Sequence, residues 1–136
     1  MQVSKVLINN YGISHTGLLI EPLCEAIFET NWRKRNAALI LLGELLNILK
    51  NYMFNTKTND KAPYYYQALM AVYIMKDDEL EMPRVTANQV WNMYIENTPK
   101  TIRSGLKVLV RMWTRFTHAA GGVVFKNIIG FSAKYA

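Results

Sequence analysis

The sequence predicts an all-α fold, a right-handed α-solenoid of antiparallel helix pairs, and three observations lead there. Apolar residues recur every three or four positions along the chain, the spacing that puts side chains on one face of a helix. No stretch requires the apolar–polar alternation of a strand. The second helices of successive pairs also resemble one another.

The elements follow in order. Met1 to Tyr11 carries Val3, Val6 and Leu7 at helical spacing and is stopped by Gly12, a residue type common just past a helix end. Ser14 is placed to cap a second helix running to about Glu29, with Leu18, Leu19, Leu23, Ile27 and Phe28 inward. Pro22 inside it removes one backbone hydrogen bond and should bend it. Asn31 caps a third helix, Trp32 to about Tyr52, with a stripe of Ala38, Leu41, Leu42, Leu45, Leu49 and Tyr52 and a polar edge of Arg33, Lys34, Asn36 and Glu44. Asn51 to Ala62 is a polar connection. Pro63 opens a helix through about Met75, with Tyr66, Leu69, Met70 and Tyr73 buried. Lys76-Asp77-Asp78-Glu79 reads as an open turn with solvated acids. Pro83, at a first helical position, starts the next helix, with Val90, Trp91, Tyr94 and Ile95 inward and an end near Asn97. Thr98-Pro99 repeats that signal for a helix to about His118, and Gly121-Gly122 precedes a last helix from Val123.

Arg35-Asn36-Ala37-Ala38-Leu39-Ile40-Leu41-Leu42 sets over Arg84-Val85-Thr86-Ala87-Asn88-Gln89-Val90-Trp91, with the Arg, the second Ala and the apolar pair in step. Leu41-Leu42-Gly43 sets in turn over Ile128-Ile129-Gly130. Two-helix units recurring at about 40–47 residues are the mark of HEAT and armadillo repeats, with a compact helical bundle as the alternative that periodicity alone leaves open. The expected organisation is one HEAT-like segment over residues 1–136 with about three repeats, the terminal ones incomplete: pairs at about 14–52, 63–97 and 99–136, joined by the 51–62 connection. Trp32, Leu41, Leu42, Leu45, Trp91 and Tyr94 are the residues expected to shape it.

The charge is lopsided. The chain holds 16 Lys and Arg against 10 Asp and Glu, a net +6, yet from Asn97 to Ala136 there is no acid at all. Five of the basic residues there, Lys100, Arg103, Lys107, Arg111 and Arg115, step by three or four and share one helix face. Ile102, Leu106, Leu109, Val110, Trp113 and Phe116 lie opposite. Such a surface suits an acidic partner: nucleic acid, an anionic membrane or an acidic protein. A solvated outer face is the bland alternative.

Chemistry-bearing motifs are scarce. One cysteine, Cys24, forbids an internal disulfide and suits a reducing compartment; its apolar and acidic neighbours read as a buried structural thiol. His15 and His118 lie far apart near helix ends, and no metal-ligand spacing or phosphate-binding loop exists. No catalytic residue, cofactor, metal or small-molecule substrate is expected. The most apolar run, Ala37 to Leu49, contains Glu44 and Asn47 and is shorter than the roughly 20 residues of a bilayer span, so no membrane partner is expected. In Tyr64-Tyr65-Tyr66 successive side chains diverge by about 100°, so at least one should face outward.

Two stretches carry a more specific likeness. Asn31-Trp32-Arg33-Lys34-Arg35, followed by Ala38 and Leu41-Leu42-Gly43-Glu44-Leu45-Leu46, is the first. Leu69 with Tyr73, then Asp78, Arg84, Val90-Trp91 and Asn97-Thr98-Pro99-Lys100-Thr101-Ile102-Arg103 with Leu106, is the second. In this order they resemble the HEAT-repeat translational activators of the general-control (amino-acid starvation) kinase, over about Leu18 to Leu106. That resemblance implies a cytoplasmic, non-catalytic scaffold that lies along ribosomes, senses stalled ones and activates a kinase acting on an initiation factor. Ribosomal RNA or ribosomal proteins would be the direct partners, with the kinase and an auxiliary ATPase reached through the full-length scaffold. The chain would be an internal piece, and Arg33, Lys34, Lys100, Arg103, Lys107, Arg111 and Arg115 its partner-binding residues. A competing class with the same fold is a HEAT adaptor of the nuclear-transport or phosphatase kind, whose partner is an acidic protein.

Overall fold

The computed structural model describes residues 2–116, with side chains from 3 to 112. The expected last helix, His118, the Ile128-Ile129-Gly130 match and the side chains of Trp113, Arg115 and Phe116 lie outside the described residues.

The described residues form six helices and no strand: α1 (Gln2–Tyr11), α2 (Thr16–Ala26), α3 (Trp32–Thr56), α4 (Ala62–Met75), α5 (Glu81–Tyr94) and α6 (Thr98–Phe116). They pack as two layers. α2, α4 and α6 lie side by side in one layer, and α1, α3 and α5 in the other. α3 packs across the layers on α2 and α4, and α4 on α5.

Helices within a layer run parallel and in step. In the α3–α5 pair Thr86 Oγ1 donates to Asn36 Oδ1 at 2.6 Å, and Tyr94 Oη donates to the Gly43 carbonyl at 3.1 Å. The contact register reproduces the sequence offset that set Arg35 over Arg84. Gly43 is part of the reason, since a Cβ there would meet Val90 at 3.3 Å; the missing side chain lets the two helices close up. Gly105 serves α6 in the same way against Met70 of α4, whose Sδ would lie 2.9 Å from an added Cβ. Helices of one pair run antiparallel: the Tyr73 and Trp91 rings of α4 and α5 stand 5.1 Å apart, and Asn88 Nδ2 reaches the Lys76 carbonyl at 3.3 Å.

The core lies between the layers. α4 supplies its centre, with every residue from Ala68 to Met75 buried, so it has no polar face there. From α3 come Ala38, Leu39, Leu42, Leu45, Leu46 and Leu49. α3 has the length and hydropathy of a membrane span, at 25 residues. Its buried Arg35 and its packing against four other helices are the features of a core helix.

The turn after α4 corrects the expectation of solvated acids. Asp78 is 1% exposed and pairs with Arg35, itself 2% exposed. Arg35 Nε donates to Asp78 Oδ2 at 2.9 Å and Nη2 to Oδ1 at 3.1 Å, while Nη1 donates to the Glu29 and Thr30 carbonyls, each at 2.9 Å. Arg84 Nη1 repeats this one unit later, donating to the carbonyls of Asp78 at 3.1 Å and Glu79 at 3.5 Å. Each arginine reaches five and six residues back to the turn that precedes its helix, and Arg35 also ties that turn to the next one. A buried pair depends on its remaining donors finding acceptors, and here four of the five guanidinium N–H groups are bonded.

Other local expectations shift. Ser14 does not cap α2; His15 stands at that position without a side-chain capping bond, and Thr16 Oγ1 bonds the Gly12 carbonyl instead. Leu18 is 74% exposed, and Ile20 and Cys24 form the buried line. The helix continues through Pro22, which is exposed. Gly12 is not left-handed; its N–H continues the helical pattern to the Ile8 carbonyl at 2.8 Å. α3 runs to Thr56, through much of the expected connection, and ends at Lys57 with φ 54°. Tyr52 holds that last turn, accepting Thr56 Oγ1 on its carbonyl and meeting Asp60 through its hydroxyl. Pro83 falls in the first turn of α5 rather than at its first residue. Tyr64, Tyr65 and Tyr66 are all half-buried, because α4 is enclosed on most sides.

Candidate functional site

The start of α6 explains the Asn97-Thr98-Pro99 run residue by residue. Asn97 Oδ1 accepts the Lys100 N–H at 3.0 Å, and the Asn97 carbonyl accepts Thr101 Oγ1 at 2.9 Å. Thr98 Oγ1 accepts the Trp91 indole N–H at 3.0 Å, so the buried ring of α5 fixes where α6 begins. Pro99 needs no amide partner in a first turn.

From that anchor α6 buries Ile102, Gly105, Leu109 and Met112 and turns Lys100, Arg103, Lys107 and Arg111 to solvent. The four cations advance by about 16 Å along the axis at 1.5 Å per residue. Among the described residues none of them enters an ion pair, the two pairs present being Lys5–Glu44 and Arg35–Asp78. Leu106 and Val110, expected to face inward, are 43% and 48% exposed. The buried line runs instead through Gly105 and Met112, and Gly105 is the point at which α6 closes on Met70 of α4.

Arg33 and Lys34 are exposed as well, but the fold sets them elsewhere. They sit in the first turn of α3, and Arg33 lies 4.8 Å over the Trp32 ring. The Arg35–Asp78 pair brings that end of α3 against the turn that also carries the exposed Asp77 and Glu79. The structure joins Lys100, Arg103, Lys107 and Arg111 into one face and leaves Arg33 and Lys34 in a second, mixed patch.

Between α3 and α5 lies a groove of about 410 Å³ with Gly43, Val90 and Tyr94 along it and Glu44, Asn47, Thr86 and Gln89 among its polar groups. Glu44 is engaged by Lys5 at 3.9 Å. Tyr94 has its pKa raised, by burial first and by the Glu44 charge second, which keeps the phenol neutral as a donor to Gly43. The groove offers no nucleophile with a base beside it. Ser14 Oγ and His15 Nδ1 do lie 2.8 Å apart, but they are exposed chain neighbours. Cys24 is fully buried, and no group of three or more His, Cys, Asp or Glu converges among the described residues.

A different set of residues escaped sequence reasoning. Lys50 Nζ lies 5.6 Å over the Tyr94 ring, Lys61 Nζ lies 5.7 Å over Tyr64, and Phe54 is 81% exposed. The available signal was three lysines and five aromatic residues between Lys50 and Tyr66, obscured because half of this stretch reads as a loop.

No family model matches the sequence, and no solved structure matches it. Among curated proteins the chain is similar to the eIF-2-alpha kinase activator GCN1 of Saccharomyces cerevisiae, at 25% identity over 146 aligned residues. The alignment takes in 94% of this chain and 5% of that protein, so the relation is distant and the chain spans a small part of its relative's length.

Proposed function

We propose that this chain is a HEAT-type α-solenoid segment of a non-catalytic, cytoplasmic scaffold in translational control. It binds ribosomes and partner proteins, and the scaffold activates an initiation-factor kinase under amino-acid starvation or ribosome stalling. The kinase and an auxiliary ATPase are engaged by the full-length scaffold rather than by a site within this piece. Two parallel layers in sequence register support the fold part of this reading, because a solenoid unit contacts mainly its neighbours in the stack. The likeness to a kinase activator supports the regulatory part.

The observation that carries the binding role is the α6 face of Lys100, Arg103, Lys107 and Arg111, exposed and unpaired with any acid among the described residues. Phosphate oxygens of ribosomal RNA fit it without any reading of sequence. Changing Arg103, Lys107 and Arg111 together to Gln preserves the helix, since Gln is nearly as good a helix former. With roughly three to five phosphates neutralised, ribosome binding should fall with salt at a log–log slope of about −2 to −4. The triple variant should flatten that slope by nearly one unit per charge. An unchanged slope would mean the face is only solvated. Failure of the intact parent protein to cosediment with ribosomes, together with a stable acidic protein partner, would turn the reading to a HEAT adaptor.

A further inference from the structure

Parallel layers bring the same ends of alternate helices together. The C-termini of α3 and α5 and the N-termini of α4 and α6 point toward one end of the stack, with α3 running on past the Gly43 level at which α5 ends. That end carries Lys50, Lys57, Lys61, Lys100 and Arg103. Acids accompany them: Asp60, engaged by Tyr52 at 3.3 Å and by Thr58 at 2.9 Å, Glu96, and Glu44, which acts on Tyr94 and is engaged by Lys5 at 3.9 Å.

Phe54 stands out of this surface at 81% exposure. One turn back along α3 it has Lys50 and Asn51, and three and four residues on, past the helix end at Thr56, come Lys57 and Thr58. A protein partner would need an apolar patch around the ring, and these four neighbours are polar. A lone exposed ring flanked by cations suits a flat aromatic group carried on a phosphate chain. Lys57 adds to this, since its φ of 54° is a conformation that glycine adopts freely, and the chain places a cation there instead.

We propose that this end of the stack takes an unpaired stretch of RNA, with a base stacked on Phe54 and the flanking phosphates on Lys50, Lys57 and Lys61. The proposal rests on the polyanion reading of α6 and extends it, from phosphate contact alone to a preference for single strands. Bases inside a duplex already stack on each other and offer no free face, so Phe54 discriminates where α6 does not.

The test uses the full chain with three probes: a labelled oligouridylate of about 12 nucleotides, the same oligonucleotide in a duplex, and polyglutamate. Base–aromatic stacking predicts that Phe54→Ala weakens oligouridylate binding between about fivefold and about a hundredfold. Duplex binding should stay unchanged, and Phe54→Trp should restore the single-strand affinity. The exposure of Phe54 leaves the fold out of the comparison. The α6 triple Gln variant should weaken both RNA probes alike, so its failure to do so would count against the phosphate reading, not against Phe54. Equal binding of single strand and duplex by the wild-type chain would overturn the proposal. So would an unaffected Phe54→Ala variant, or polyglutamate binding that depends on Phe54 as strongly as RNA binding does.

Discussion

Replacing Asp78 by Ala tests the joint between successive helix pairs. The change leaves the Arg35 guanidinium, 2% exposed, without the carboxylate that accepts from Nε and Nη2. It also removes the acceptor of the Leu80 N–H at 2.9 Å. Breaking a buried pair from one side costs about 3–5 kcal/mol, because an uncompensated charge stays behind. Nη1 keeps the Glu29 and Thr30 carbonyls, so the expected loss is near the lower bound, about 3 kcal/mol. A domain of this size holds roughly 5–15 kcal/mol in total, so the variant should still fold but with a much lower urea midpoint. Circular dichroism against urea measures it, and an unchanged m-value identifies the shift as stability. Removing both partners, as Arg35→Met with Asp78→Leu, leaves no stranded charge. The double variant should therefore lose less than the two single losses added, with a coupling of up to about 3 kcal/mol. A single-variant loss below about 1 kcal/mol, or strict additivity, would refute the buried joint.

Trp91→Ala should cost about 3–5 kcal/mol by the same urea assay, since the ring is 1% exposed, packs on Tyr73 and anchors α6 through Thr98. A loss below about 1 kcal/mol would contradict its place in the core. The pKa of Tyr65 is raised above 10.0, by burial first and then by Tyr66 and Tyr94, so above that pH the unfolded chain loses the proton before the folded one does. Stability is therefore full below about pH 10 and declines as the pH rises from there toward the folded-state pKa. Tyr65→Phe should make that alkaline decline shallower in thermal melts, and an identical decline would count against the burial of this phenol.

The all-helical fold, four of the buried α3 positions and the basic α6 stripe were legible in the sequence, because helical spacing fixes which side chains share a face before any partner is present. Asn31 as a cap was legible for the same local reason, and its side chain accepts the Arg33 N–H at 2.9 Å. The offset between Arg35 and Arg84 was visible too, but not what it meant. Asp78 reads as one of three solvated acids until the fold brings Arg35, 43 positions earlier in the chain, to within 2.9 Å. Leu18 and Leu106 read as inward from their spacing, because periodicity gives a face without saying how wide a neighbour covers it. Both are exposed because they stand off the sides by which α2 and α6 pack on α4. The separation of Arg33 and Lys34 from the α6 cations, and the meeting of Lys50 with the Tyr94 ring, depend on which helix ends the layers bring together. That is a matter of non-local packing, to which the spacing of residues within a single helix is blind.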